Sequence, residues 1–153
     1  MTYSIELDLD LPRDKVGELF GNPDNLAFWQ PGFVSMEHTS GEEGAVGAKS
    51  RLLYKNRGRD VELIETVKVN NLPEEFTATY EAKGMWIEVK NRFEENGPEK
   101  TKWISENDVK LSGIMMRLIG LVMPGCFKKE TLKYNVNFKA FAEKGADIRD
   151  QAK

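Results

Sequence analysis

The chain has 153 residues, of which 40% are hydrophobic and 31% charged, and its formal net charge is −3. That composition fits one globular domain with a real core rather than a disordered segment, and the acidic balance argues against nucleic acid as a partner. A single cysteine, Cys126, and a single histidine, His38, leave no intrachain disulfide, too few ligands for a His/Cys zinc site, and no nucleophile signature for a Ser-His-Asp or Cys-His apparatus.

The first residues alternate. Tyr3, Ile5, Leu7, Leu9 and Leu11 interleave with Ser4, Glu6, Asp8 and Asp10, the period of a half-buried strand. The same stretch lacks the basic start and continuous apolar core of a signal peptide, so a cytoplasmic location is expected. Pro12 stops the strand and suits a helix start. Val16, Leu19 and Phe20 supply a short apolar face, Gly21-Asn22-Pro23 ends that helix, and a second short helix runs from Asp24 to Trp29, closed by Gln30-Pro31-Gly32.

From Phe33 to about Leu111 the pattern is that of six strands joined by tight turns. Phe33–Thr39 is followed by a turn over Glu42–Gly47. Ala48–Lys55 pairs with Asp60–Asn70 across Asn56-Arg57-Gly58-Arg59. Phe76–Ala82 and Met85–Glu95 follow, and Asn96-Gly97-Pro98 leads into Thr101–Leu111. The glycines of GEEGAVG, residues 41–47, sit beside two acids that repel phosphate, and neither GxGxxG nor a Walker A loop occurs, so no cofactor and no metal is expected.

The remainder, Ser112 to Lys144, reads as one helix in two halves bent at Pro124. The first half, GIMMRLIGLVM at 113–123, is apolar on nearly every side with Arg117 as its one charge. Eleven residues are too few for a membrane span, which takes roughly 20; the segment is expected to form the movable wall of a pocket, lined by Met115, Met116, Ile119 and Met123, or to face a partner. In the second half Phe127, Tyr134, Phe138 and Phe141 make an apolar stripe that anchors the helix on the sheet. Residues 146–153 are expected to fray.

The order of strand, two short helices, six antiparallel strands and a long helix is α+β. With this order the chain resembles the helix-grip superfamily of START-like and Bet v 1-like proteins (SRPBCC), and within it the polyketide cyclase/dehydrase and coenzyme Q-binding branch. The residues that carry the resemblance are the opening strand with Pro12-Arg13-Asp14-Lys15-Val16, Asn22-Pro23, Phe28-Trp29-Gln30-Pro31-Gly32, Gly44-Ala45-Val46-Gly47, Leu72-Pro73-Glu74-Glu75-Phe76 and the C-terminal helix. It covers residues 2–144 of a chain read as one domain, 1–153. It implies a curved antiparallel sheet of about seven strands wrapped on the long helix, with a deep pocket between them. Superfamily members bind lipids, sterols, quinones, hormones or polyketides, a few are enzymes, and some related domains stimulate a chaperone; fold alone does not choose among these.

Strand phase singles out the polar candidates. Val61, Leu63, Val67 and Val69 are read as one face, and Glu65 falls in that row, where a carboxylate needs a partner or a shifted pKa. It is either a polar anchor or general acid/base in the pocket, or a residue at an open sheet end or paired with a cation such as Arg51. Asn91 interrupts the row Met85, Ile87, Val89, Phe93, and Ser105 with Asn107 interrupts Trp103, Val109, Leu111. They are read as ligand-contacting groups in an apolar cavity, or as a mutually satisfied network. Trp29, Phe33, Tyr54, Tyr80, Met85 and Trp103 are the apolar lining candidates. The leading expectation is a carrier or sensor of a small hydrophobic molecule; the alternatives are a cyclase- or dehydratase-type enzyme using Glu65 with Asn91, Tyr80 or Asn107, and a chaperone- or membrane-surface interaction module.

Overall fold

A computed structural model describes residues 1–114, 117–118 and 125–151. The elements are β1 (Thr2–Leu9), α1 (Arg13–Gly21), a 3-10 turn (Pro23–Asn25), α2 (Leu26–Trp29), β2 (Phe33–Ser40), β3 (Lys49–Asn56), β4 (Arg59–Asn71), β5 (Glu75–Ala82), β6 (Met85–Glu95), β7 (Thr101–Leu111), α3 (Cys126–Lys144) and α4 (Ile148–Gln151). All seven strands form one antiparallel sheet in the order β1-β7-β6-β5-β4-β3-β2. Every neighbouring pair but β1/β7 is a hairpin, so the sheet is built almost wholly from local turns. The β3–β4 turn holds Arg57 and Gly58 at φ of 52° and 79°, the left-handed pair that matches the twist of a two-residue hairpin.

α3 crosses the inner face of the sheet. Phe138 is fully buried there, and its ring meets Phe20, Trp29 and Trp103 edge-on at 5.5, 5.2 and 5.3 Å. Leu9, Val16 and Phe93 complete this core. Edge-to-face contacts of this kind add to the stabilisation from burial. α1 approaches the β4–β5 turn closely: a side chain at Gly17 would place its Cβ 2.6 Å from Pro73 Cβ. At the far end of α3, Gly145 adopts φ 67° and its N–H returns to Phe141, a left-handed helix stop.

Two expectations are corrected. Val69 does not share the face of Val61, Leu63 and Val67. The β4–β5 register passes from Val67↔Ala78 to Val69↔Thr77, so Lys68 is an extra residue and the row changes face at the bulge. The tail does not wholly fray: Ile148–Gln151 forms a helical turn, Arg149 lies over the Phe28 ring at 5.1 Å, and Phe28 stacks on Phe141 at 5.2 Å. The bend at Pro124 lies outside the described residues. Among the described residues no helix is long and apolar enough to cross a membrane.

Candidate functional site

The aromatic core fills only part of the space beneath α3. Towards the N-terminal end of α3 the inner face is hollow, with a cavity of about 420 Å3, within the range of small-ligand sites. Its floor follows from the register. Val89 faces Asn107, Asn91 faces Ser105, and Ile87 faces both Tyr80 and Val109, so alternate residues of β5, β6 and β7 point into one space. Its roof is the α3 row of Cys126, Phe127, Glu130, Thr131, Tyr134 and Asn135, spaced three or four residues apart along one helix face. Phe20, Trp29 and Gln30 close the side, and Tyr3, Tyr54, Asn56 and Leu63 complete the wall.

Of the residues singled out from sequence, Trp29, Tyr54, Tyr80, Met85, Asn91, Trp103, Ser105 and Asn107 line this cavity. Phe33 does not; paired with Tyr54 across β2 and β3, it stands edge-on to that ring at 5.8 Å, beside the cavity wall. Glu65 lies in an adjoining pocket of about 90 Å3, which shares Phe20, Trp29, Gln30 and Tyr80 with the main cavity. Met115, Met116, Ile119 and Met123 lie outside the described residues.

Several of the polar groups are specifically partnered, whereas the buried Trp29 Nε1 has no hydrogen-bond partner among the described residues. Trp103 Nε1 donates to Asn91 Oδ1 at 3.0 Å, and Asn107 Nδ2 donates to Ser105 Oγ at 3.1 Å. The row interruptions read from sequence thus form satisfied pairs and also border the cavity. Tyr54 donates its hydroxyl to Gln30 Oε1 at 2.7 Å. Gln30 is held there by the tight approach of Gly32 to β3: the Lys55 N–H bonds to the Gly32 carbonyl at 2.7 Å, and a Cβ at Gly32 would fall 2.4 Å from the Lys55 carbonyl oxygen. Tyr3 shares a 2.7 Å hydrogen bond with Thr131 and so ties β1 to the roof.

Glu65 and Tyr80 are hydrogen-bonded to each other. Arg51 is not the partner of Glu65; it points to the outer face, towards Glu37 and Glu62. Burial pushes the Glu65 carboxyl above its usual range, with the Tyr80 bond opposing. Burial also pushes Tyr80 and Tyr54 up, and Tyr134 too, with nearby Glu65 or Glu130 adding in the same direction. Loss of hydration disfavours the charged form in each case, so these phenols are neutral hydrogen-bonding groups. Among the described lining residues Glu130 is the one that carries a formal charge, and it is largely exposed. A groove of similar size on the outer face, between Ser4, Glu88, Lys90 and Glu106, is lined by charged side chains and open to solvent. Among the described residues no group of three or more His, Cys, Asp or Glu side chains is arranged to hold a metal. His38 Nε2 donates to the Gly41 carbonyl at 2.6 Å, away from the cavity.

Sequence reasoning missed Gln30, Tyr134 and Asn135 as cavity residues. Gln30 sat in a segment read as a turn. Asn135, 5% exposed, is a polar residue three positions before Phe138 on the buried stripe; that position was the available signal.

The seven-stranded antiparallel sheet, the two short helices after β1 and the long C-terminal helix beneath which the cavity lies define the helix-grip fold of START-like and Bet v 1-like proteins. Solved structures with this fold include the Zhui aromatase/cyclase from Streptomyces sp. R1128, 12% identical with a TM-score of 0.76 over 94% of this chain and 93% of that one. A START superfamily protein from Mycobacterium smegmatis is 12% identical with a TM-score of 0.69, over 87% of this chain and 92% of that one. Ara h 8.0201 is 11% identical with a TM-score of 0.71, over 93% and 97%. No protein-family model matches the chain, and no curated protein matches it.

Proposed function

We propose that this chain, 1–153, acts as one START-like domain that binds a small, uncharged, largely apolar molecule in the cavity between sheet and α3, as a carrier or sensor. The observation that carries the reading is the lining itself: about 420 Å3 bounded mainly by aromatic and aliphatic side chains, with neutral hydroxyl and amide groups at its edges and one exposed carboxylate. A charged ligand would lose its hydration there without an opposite charge in return. A molecule with a fused or linked ring system and oxygen substituents, such as a quinone or a polyketide-like aromatic, matches aromatic walls and scattered hydrogen-bonding groups better than a plain alkyl chain does. That a structural neighbour is an aromatase/cyclase supports the same ligand class.

The test is a titration followed by tryptophan emission, since Trp29 and Trp103 both line the cavity. A quinone, a flat polyphenol and a fatty acid are compared. The neutral aromatics are expected to quench at one molecule per chain, and Val89→Phe, which fills the floor, is expected to abolish the effect. Saturable binding that is equal in wild type and Val89→Phe would place the ligand elsewhere and defeat the reading.

A second reading, acid/base catalysis on the bound molecule, is favoured by one feature: Tyr80 touches both pockets and is hydrogen-bonded to Glu65. Tyr80 would hold the proton at the ligand, and Glu65 behind it would position the phenol. Glu65→Gln should then keep binding and lower turnover; equal turnover removes Glu65 from any such role.

A further inference from the structure

The two ends of the molecule differ in charge. The open end, where the N-terminus of α3 and the β3–β4 and β5–β6 turns surround the cavity, gathers the bases. Within two residues of the β3–β4 turn lie Lys55, Arg57 and Arg59, and beside the β5–β6 turn lies Lys83. Arg117 follows β7, and Lys128 with Lys129 opens α3. Against these seven stand three acids, Asp60, Glu81 and Glu130. The end is therefore +4 in a chain whose net charge is −3, leaving −7 elsewhere.

All seven basic side chains are exposed. Among the described residues none of them takes part in an ion pair, although ten pairs occur over the rest of the surface. Folding thus gives these cations no counter-charge, and they add field to one surface. Beside Arg117 in the same patch, Ile114 is 79% exposed and Leu118 50% exposed. Bare aliphatic side chains among unpaired cations suit an interface that is anionic at its surface and apolar just below. A nucleic acid offers the first property and lacks the second.

We infer that this end is a docking surface for an anionic lipid membrane, with Ile114 and Leu118 entering the interface and the surrounding lysines and arginines meeting the headgroups. Partly buried apolar side chains plus electrostatic attraction make up the usual balance of a peripheral contact. Because Asn56, Met85 and Cys126 of the cavity wall belong to this same end, docking would bring the cavity to the membrane. The docking itself requires no occupied cavity, so it stands or falls separately from the ligand reading.

The experiment is flotation of the full chain with phosphatidylcholine vesicles, with and without phosphatidylserine, at low and high salt. Binding is expected to the anionic vesicles and to weaken as salt rises. Arg59→Gln and Lys128→Gln should each weaken it roughly fivefold. Lys100→Gln, in the β6–β7 turn at the opposite end, should leave it unchanged. Ile114→Asn should weaken it about tenfold while keeping the salt dependence. Val89→Phe should bind vesicles as wild type does, which separates this test from that of the cavity. No binding by folded protein at low salt, equal loss in Lys100→Gln and Arg59→Gln, or preference for a DNA duplex or an acidic polypeptide over the vesicles would each overturn the inference.

Discussion

One face of one sheet serves two purposes along its length. Around Phe138 it is closed: Phe20, Trp29 and Trp103 pack against that ring with centroids 5–6 Å apart, and Phe93 packs behind them on Phe20 and Trp103. Nearer the N-terminus of α3 the same strands carry Ile87, Val89, Ser105 and Asn107, and the space above them is hollow. Both regions present inward-facing rows of the same register. The difference is volume along β6 and β7: the rings of Phe93 and Trp103 at one end, the short or branched side chains of Ile87, Val89, Ser105 and Asn107 at the other. A sheet that could have been filled throughout is filled only where the helix is anchored, which points to the hollow end as the part with a use.

Substitutions should separate the two regions by size of effect. Phe138→Ala removes the ring at the centre of the closed region and should lower stability by about 3–5 kcal/mol, measured by denaturant unfolding. Asn91→Ala, at the boundary, strands the buried Trp103 N–H and should cost about 1–3 kcal/mol; a smaller loss would mean that the indole finds another acceptor. Tyr54→Phe breaks only the bond to Gln30 and should cost about 1 kcal/mol. Val89→Phe, in the hollow region, should change stability by less than about 1 kcal/mol because it enters existing space. A loss comparable to that of Phe138→Ala would show the two regions to be equally packed.

Glu65 sharpens the contrast through pH. Burial, partly offset by Tyr80, raises its pKa from the ordinary 4.5. A group raised on folding contributes fully below its unfolded pKa, and that contribution is lost as pH rises through the folded value. Glu65→Gln should therefore gain stability over wild type as pH rises above about 4.5, with no gain in acid. A difference that is flat with pH would mean that the carboxyl is solvated.

Much of this was legible in the residues. The alternation in β6 and β7 placed Asn91, Ser105 and Asn107 on the inner face beside Trp103 without error, because uninterrupted strands keep a strict period of two. Val69 was misplaced because a bulge leaves no mark in a run of Val-Lys-Val; only the partner strand reveals it. Glu65 was legible only as a carboxylate in an apolar row, with pocket, open sheet end and cation pair all left open; its neighbour Tyr80 sits on another strand, and no local spacing encodes their pairing. Gln30 could not be found from its turn, since the approach of Gly32 to β3 is what aims it. The charge of the open end was visible only as scattered lysines and arginines until the hairpins brought them together.

The most direct test of the hollow region is native mass spectrometry of the protein purified without denaturation, followed by extraction and identification of any released molecule. The account predicts a single adduct of a neutral, ring-containing compound in wild type, reloadable after removal and absent from Val89→Phe. Failure of wild type to take up any neutral aromatic after stripping, or an adduct of equal occupancy in both proteins, would contradict it.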